Sequence, residues 1–250
     1  MKTSCLTLPL VLLLFVPLVP AQNVQIITNF PPRTLAEALR SKGINDLSEP
    51  SLIAALTNSD PQVRIMAANK LAEDHHDDAT PAIESALARE QDLNAQVGLA
   101  EALWSLHDEK GVAHLHAICT DPSLSFEVLI SAVRALKLTH SPAGGCAETF
   151  FAAMTRVKEP GELAMGASLL PAIYVDAKPG QRTRILATLE LLLADKNQEA
   201  PVRLLSSQAL SDIGTPECAQ AIRAAIAQEQ DPTVRTFFEA TLKGLEKRAN

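Results

Sequence analysis

The chain has 250 residues, a formal net charge of −7, and Leu and Ala in abundance with only 4% aromatic residues. An acidic balance without clustered Lys and Arg excludes a surface built to neutralise nucleic-acid phosphates, and the absence of β-branched runs argues against a sheet and for helices packed through small side chains. No Gly/Ser-rich linker or low-complexity tract divides the sequence into separate domains.

The chain opens with Met1-Lys2-Thr3, an apolar stretch from Leu6 to Val19 and the small residues before Gln22. A basic start, a short apolar run and small residues ahead of a cut after Ala21 predict a signal peptide over residues 1–21. The run is shorter than the roughly 20 residues that a membrane helix requires, and Pro9 and Pro17 weaken it further; an uncleaved anchor is the alternative. Cys5 precedes the apolar run, so it is not placed to carry a lipid. The expectation is an exported protein, periplasmic or secreted, with no membrane span in the mature chain. Cleavage would remove Lys2 alone among the charges, leaving a chain one unit more negative.

Residues 22–49 read as an amino-terminal segment carrying a capping helix near 34–42, and residues 50–250 read as a repeat array. Leu71, Leu103, Leu136, Leu170, Leu210 and Leu242 recur at steps of 32, 33, 34, 40 and 32, a period that signals stacked helical units. Residues four and eight before each Leu, including Val63 with Ala67, Val128 with Ala132, and Val234 with Phe238, share one helical face and form its buried stripe. Helix pairs are expected at 50–57 with 61–73, 80–89 with 94–106, 110–119 with 125–138, 143–157 with 161–174, 181–194 with 201–212, and 216–228 with 232–247.

Eleven residues before each Leu stand Asp60, Asp92, Ser125, Glu159, Glu199 and Asp231, with Pro61, Pro160 and Pro232 following three of them. Such residues accept bonds from the free N–H groups of a first helical turn, and Pro at the first helical position gives up no bond the helix needs. Thr80-Pro81 and Thr215-Pro216 open first helices in the same way. Seven before the Leu stand Arg64, Arg203 and Arg235, expected to form a ladder with the acidic row at Asp60, Glu199 and Asp231 or with neighbours in the next repeat.

The segments Asp60-Pro61-Gln62-Val63-Arg64 with Ala67-Ala68, Val202-Arg203, and Asp231-Pro232-Thr233-Val234-Arg235 resemble HEAT-like repeats of the phycobilisome-lyase type, and the resemblance covers about residues 50 to 247. It implies an all-α fold, a right-handed α-solenoid of about six HEAT-like helix pairs, and leaves function open, because one repeat fold hosts many roles. The subtype also implies an alternative role as an accessory subunit of a lyase-like or cofactor-processing enzyme, for which the sequence nominates no catalytic residue. The paired His-Glu motifs that hold two irons in HEAT-repeat hydroxylases are not seen in this sequence.

No glycine-rich or nucleophile-bearing turn between a strand and a helix is present, so the expectation is a chain that is not an enzyme and needs no cofactor. His75, His76 and Asp77, in a turn between helices, are the weak candidate for a metal site. His114 and His116 diverge by about 200° on their helix and cannot form a chelating pair, while His107 and His140 follow helix ends where a cation is favoured. Cys119 falls near the end of one first helix and Cys146 near the start of the next, so in-register stacking would hold them a helix length apart, beyond the roughly 7 Å reach of a disulfide. Cys218 reads as a small buried residue, and Trp104 as a local packing residue.

Solenoids present their second helices along an extended concave surface. Counting from the register Leu places Met66, Asn69, Glu101, Arg134, Met165, Gln208 and Phe237 on that surface. An apolar row beside a polar row suits a protein or peptide partner, so the expected function is a binding or scaffolding module engaging such a partner and no nucleic acid.

Overall fold

The computed structural model describes residues 34–249; the expected signal peptide, residues 1–21, lies outside them. Thirteen α-helices and no strand occur among the described residues. Helix α1 (Leu35–Ser41) opens on a capping box: Thr34 Oγ1 accepts from the Glu37 amide at 3.2 Å while the Thr34 amide donates to Glu37 Oε2 at 3.1 Å. It buries Leu39 against the array as a cap.

Six helix pairs follow: α2 (Glu49–Ala55) with α3 (Pro61–Glu73), α4 (Thr80–Arg89) with α5 (Leu93–Ser105), α6 (Glu109–Cys119) with α7 (Phe126–Leu138), α8 (Ala147–Met154) with α9 (Pro160–Tyr174), α10 (Pro179–Ala194) with α11 (Ala200–Ile213), and α12 (Pro216–Gln228) with α13 (Pro232–Ala249). The second helices pack in sequence, α3 on α5, α5 on α7, α7 on α9, α9 on α11 and α11 on α13. The result is the all-α solenoid that the period predicts, one repeat resting on the next.

The register Leu of the first five repeats, Leu71, Leu103, Leu136, Leu170 and Leu210, is wholly buried, and Ala67, Leu99 and Ala132 behind it are equally shielded. Small residues at these stripes allow close approach of neighbouring helices. A side chain at Gly98 would sit 2.7 Å from Ile65 Cγ2, so glycine there lets α5 close on α3.

In the capping row the three Asp residues make the cap bond, and Ser125 does not. Asp60 Oδ1 accepts from the Gln62 amide at 2.9 Å, Asp92 Oδ1 from Ala95 at 2.8 Å, and Asp231 Oδ1 from Thr233 at 2.7 Å. Glu159 and Glu199 stand at the same position without a side-chain cap bond, their extra methylene carrying the carboxylate past the first turn. Thr215 caps α12 through the Cys218 amide, whereas Thr80 is already helical behind a 3₁₀ turn at Asp77–Ala79.

The second helices α3, α5 and α7 end in the same way. His75, His107 and His140 adopt left-handed backbone conformations with φ of 57°, 63° and 52°, and the next amide returns to the register Leu: His76 to Leu71 O, Asp108 to Leu103 O, Ser141 to Leu136 O. Such C-caps normally use Gly, as Gly214 does after α11. Trp104 Nε1 donates to Thr139 O at 3.1 Å, tying the end of α5 to the end of α7, a local packing role.

Candidate functional site

Two features stand out: a groove across the second helices and a cluster of sulfur and imidazole donors between the third and fourth repeats. A third group, the arginine row, is structural.

The groove has a volume of about 580 Å³ and crosses α3, α5, α7 and α9, lined by Gln62 and Ile65, Asn94, Val97, Gly98 and Glu101, then Glu127, Ile130, Ser131 and Arg134, and finally Glu162 and Met165. Val97 and Ile130 are buried in its floor, and Met165 is 48% exposed at its end. Partial burial pushes the Glu101 carboxyl up, and the nearby Arg134 charge opposes the shift.

Glu101, Arg134 and Met165 are thus brought together. Met66 is half-buried against the core, and Asn69 is half-buried outside the lining. Gln208, on α11, donates to Asp212 Oδ1 at 2.8 Å, and Phe237, 37% exposed, belongs to α13; neither lines the groove. The apolar row lies six residues before the register Leu, at Ile65, Val97 and Ile130, one position earlier than the count from sequence places it. That offset moves Met66 toward the core.

The arginine ladder forms with a different acidic row. Arg64 Nε and Nη2 bond Glu90 at 2.6 and 2.7 Å, and Arg203 Nη2 bonds Glu229 Oε2. Each partner lies 26 residues on, in the turn before the second helix of the next repeat. One oxygen of each carboxylate also accepts two amides: Glu90 Oε1, which Arg64 Nη2 shares, from Gln91 and Asp92, and Glu229 Oε1, the oxygen away from Arg203, from Gln230 and Asp231. Burial by itself would raise the Glu90 and Glu229 carboxyls, but these amides and the guanidinium hold both below the ordinary value of 4.5. Asp60 meets Lys42 at 2.9 Å instead of Arg64, Glu199 makes no cap bond, and Asp231 caps its helix. Arg235, in the last repeat, bonds the Glu229 carbonyl.

The proposed metal turn does not assemble. His76 Nδ1 faces Glu49 Oε2 at 3.4 Å, and His75 is the exposed left-handed cap. Among the described residues the group of donors close enough to hold an ion is instead His116, Cys119 and Cys146, whose ligand atoms lie within 4.8 Å of one another. His114 turns the other way, toward Gln96 Oε1 at 3.1 Å, and its burial lowers its pKa.

The expected separation of Cys119 and Cys146 is also corrected. They form a disulfide with Cα atoms 5.2 Å apart. The stacking of α6 and α8 is out of register: α8 begins only at Ala147, after a 3₁₀ turn at Gly144–Cys146, and Thr149 Oγ1 donates to Thr120 O at 3.3 Å. The start of the fourth pair therefore meets the end of α6. Asp176 fixes the turn by accepting from the Ala143 and Gly144 amides at 3.1 and 2.9 Å. A side chain at Gly144 would lie 2.7 Å from the Asp176 carbonyl, so only glycine admits this approach. Cys218 is free and buried.

The family model described as HEAT repeats matches residues 49–140. No curated protein matches the chain. Among solved structures the chain is similar to human deoxyhypusine hydroxylase in complex with glycerol, at 17% identity and a TM-score of 0.41, over 85% of this chain and 77% of that one. The expectation of a chain that is not an enzyme is corrected: the fold gathers His116, Cys119 and Cys146, so the missing glycine-rich motifs do not exclude chemistry. No helix among the described residues is long and apolar enough to cross a membrane. The chain carries HEAT repeats over residues 49–140, within an all-α solenoid whose helix pairing runs on to Ala249.

Proposed function

We propose that the chain is a binding module that holds a segment of a protein or peptide partner in the groove across α3, α5, α7 and α9. The observation that carries this reading is the composition of that groove: an apolar floor at Ile65, Val97 and Ile130, an exposed Met165 at one end, and polar walls at Gln62, Asn94 and Ser131. Apolar floors with polar rims characterise protein recognition surfaces, and a thioether adapts to varied side chains. The groove is built on rigid helices, so little ordering cost falls on this side of the contact.

Export is part of the proposal. It is supported by the basic start, apolar run and small residues of positions 1–21, and by the Cys119–Cys146 disulfide, since such bonds persist chiefly in oxidising compartments.

The test is affinity capture from the exported fraction of the native host with the chain and with an Arg134→Ala/Met165→Ala variant of equal helicity by circular dichroism. A partner retained by the first and lost by the second is expected. Equal retention would place the contact elsewhere on the solenoid.

A further inference from the structure

We propose that reduction of the Cys119–Cys146 disulfide opens a three-donor site for a soft monovalent metal ion, Cu(I), formed by the two cysteine sulfurs and the His116 imidazole. His116 and Cys119 lie three residues apart on α6 and so share one helical face. Cys146 enters from the next repeat on the 3₁₀ turn Gly144–Cys146. The three ligand atoms lie within 4.8 Å of one another. Metal–sulfur and metal–nitrogen bonds of about 2.0–2.3 Å place donors slightly closer than that, so a side-chain adjustment completes the site.

The surroundings keep the donors together once the S–S bond is gone. Asp176 holds the turn through two backbone amides, and the Phe126 and Phe150 rings, 5.0 Å between centroids, pin α8 to α7. Both cysteines are almost wholly buried, whereas His116 is half-exposed beside the exposed Gly145. A side chain built on Gly145 would meet no neighbouring atom nearer than His116 Nδ1 at 4.0 Å, which leaves an entry path on the imidazole side.

The donor set selects the ion. Thiolates with an imidazole favour Cu(I) or zinc; zinc needs a fourth ligand, from the protein or from water, whereas the cluster among the described residues supplies three donors, two of them on almost wholly buried cysteines. Three soft donors suit a three-coordinate Cu(I). The chemistry balances with a dithiol as reductant. Its thiolate attacks one sulfur of the disulfide and forms a mixed disulfide; its second thiol then displaces the protein sulfur. The reductant leaves as a cyclic disulfide, having delivered two electrons and two protons, and Cys119 and Cys146 become thiols. Cu(I) replaces those two protons, which pass to solvent, and accepts the lone pair of a neutral His116 nitrogen.

The experiment uses the full chain, anaerobically titrated with Cu(I) against a chromophoric Cu(I) chelator, in the oxidised state and after dithiothreitol reduction and desalting. One Cu(I) per reduced chain is expected and none per oxidised chain. His116→Ala should weaken binding on the order of tenfold or more, Cys119→Ser/Cys146→Ser should abolish it, and Cys218→Ala should leave it unchanged. Circular dichroism of each form checks the helices. Equal binding by the oxidised and reduced chains, binding unaffected by His116→Ala, or loss of the helices on reduction would overturn the proposal and leave the disulfide a structural staple.

Discussion

The junctions between repeats one and two and between repeats five and six differ in kind from the junction between repeats three and four. At the first two, an arginine seven residues before the register Leu reaches the glutamate that opens a Glu-Gln-Asp turn, Glu90-Gln91-Asp92 or Glu229-Gln230-Asp231. At the third, the arginine position holds Leu129, wholly buried, and the glutamate position holds Val157; the Cys119–Cys146 bond and the Asp176 clasp join the neighbouring elements there. Regular stacking is thus reinforced by buried ion pairs that the repeat motif supplies. Where the motif degenerates and the helices slip out of register, a covalent bond does that work. Gln96, at the arginine position of repeat two, is intermediate, bonding the Glu90 carbonyl at 2.8 Å and facing His114.

The largest effect expected is at the most buried latch. Arg203 and Glu229 have side chains only 9% and 6% exposed, so Arg203→Ala strands a carboxylate and should cost about 3–5 kcal/mol in urea unfolding. Arg203→Met with Glu229→Leu should recover most of that loss. A cost of Arg203→Ala within the range of ordinary surface changes would show that the latch is ornamental and erase the contrast.

Reduction of Cys119–Cys146, which spans 27 residues, should cost about 3 kcal/mol of unfolding free energy while the helical signal persists at neutral pH. Loss of the first two latches should leave this increment unchanged, because distant sites add. Strong coupling between them would mean that the junctions are not independent.

Acid sharpens the comparison with a smaller effect. Glu90 and Glu229 titrate below their ordinary value of 4.5 when folded. Their contribution is therefore present above about that pH and is lost as pH falls through the lower folded values. The Glu90→Gln/Glu229→Gln variant should be less stable at neutral pH yet lose less stability on acidification, whereas the disulfide contribution should not change with acid. A parallel pH profile for variant and parent would locate the acid sensitivity elsewhere.

The smallest stability effect belongs to the groove. Arg134→Ala and Met165→Ala lie on its exposed wall and end, and each should move stability by no more than about 0.5 kcal/mol, so that a change in partner binding reports recognition and not folding. A larger loss would make the groove part of the packing.

How far the residues alone reach depends on range. Helix pairs were legible because caps and periodicity act within a few residues: Asp60-Pro61 opens α3 and Leu71 is buried as its spacing requires. The doubled Glu-Gln-Asp triplet was also visible in the sequence, but only the fold shows that its first residue, and not its capping Asp, faces the arginine. A one-residue rotation about the helix axis separates Met66 from the groove and brings in Ile65, a difference that helical spacing cannot resolve without the neighbouring helix.

By itself the sequence determined the helical content, the repeat period, the six pairs and the small-residue stripes through which they pack, since each follows from local propensity and facing positions on one helix. Tertiary structure decided which side chains meet across repeats. The displaced start of α8 brings Cys146 to Cys119 and His116, and the stacking of α3, α5, α7 and α9 makes one groove from four separate stripes, because the offset between successive units is set by packing at the junctions and is not written in the spacing of any one helix.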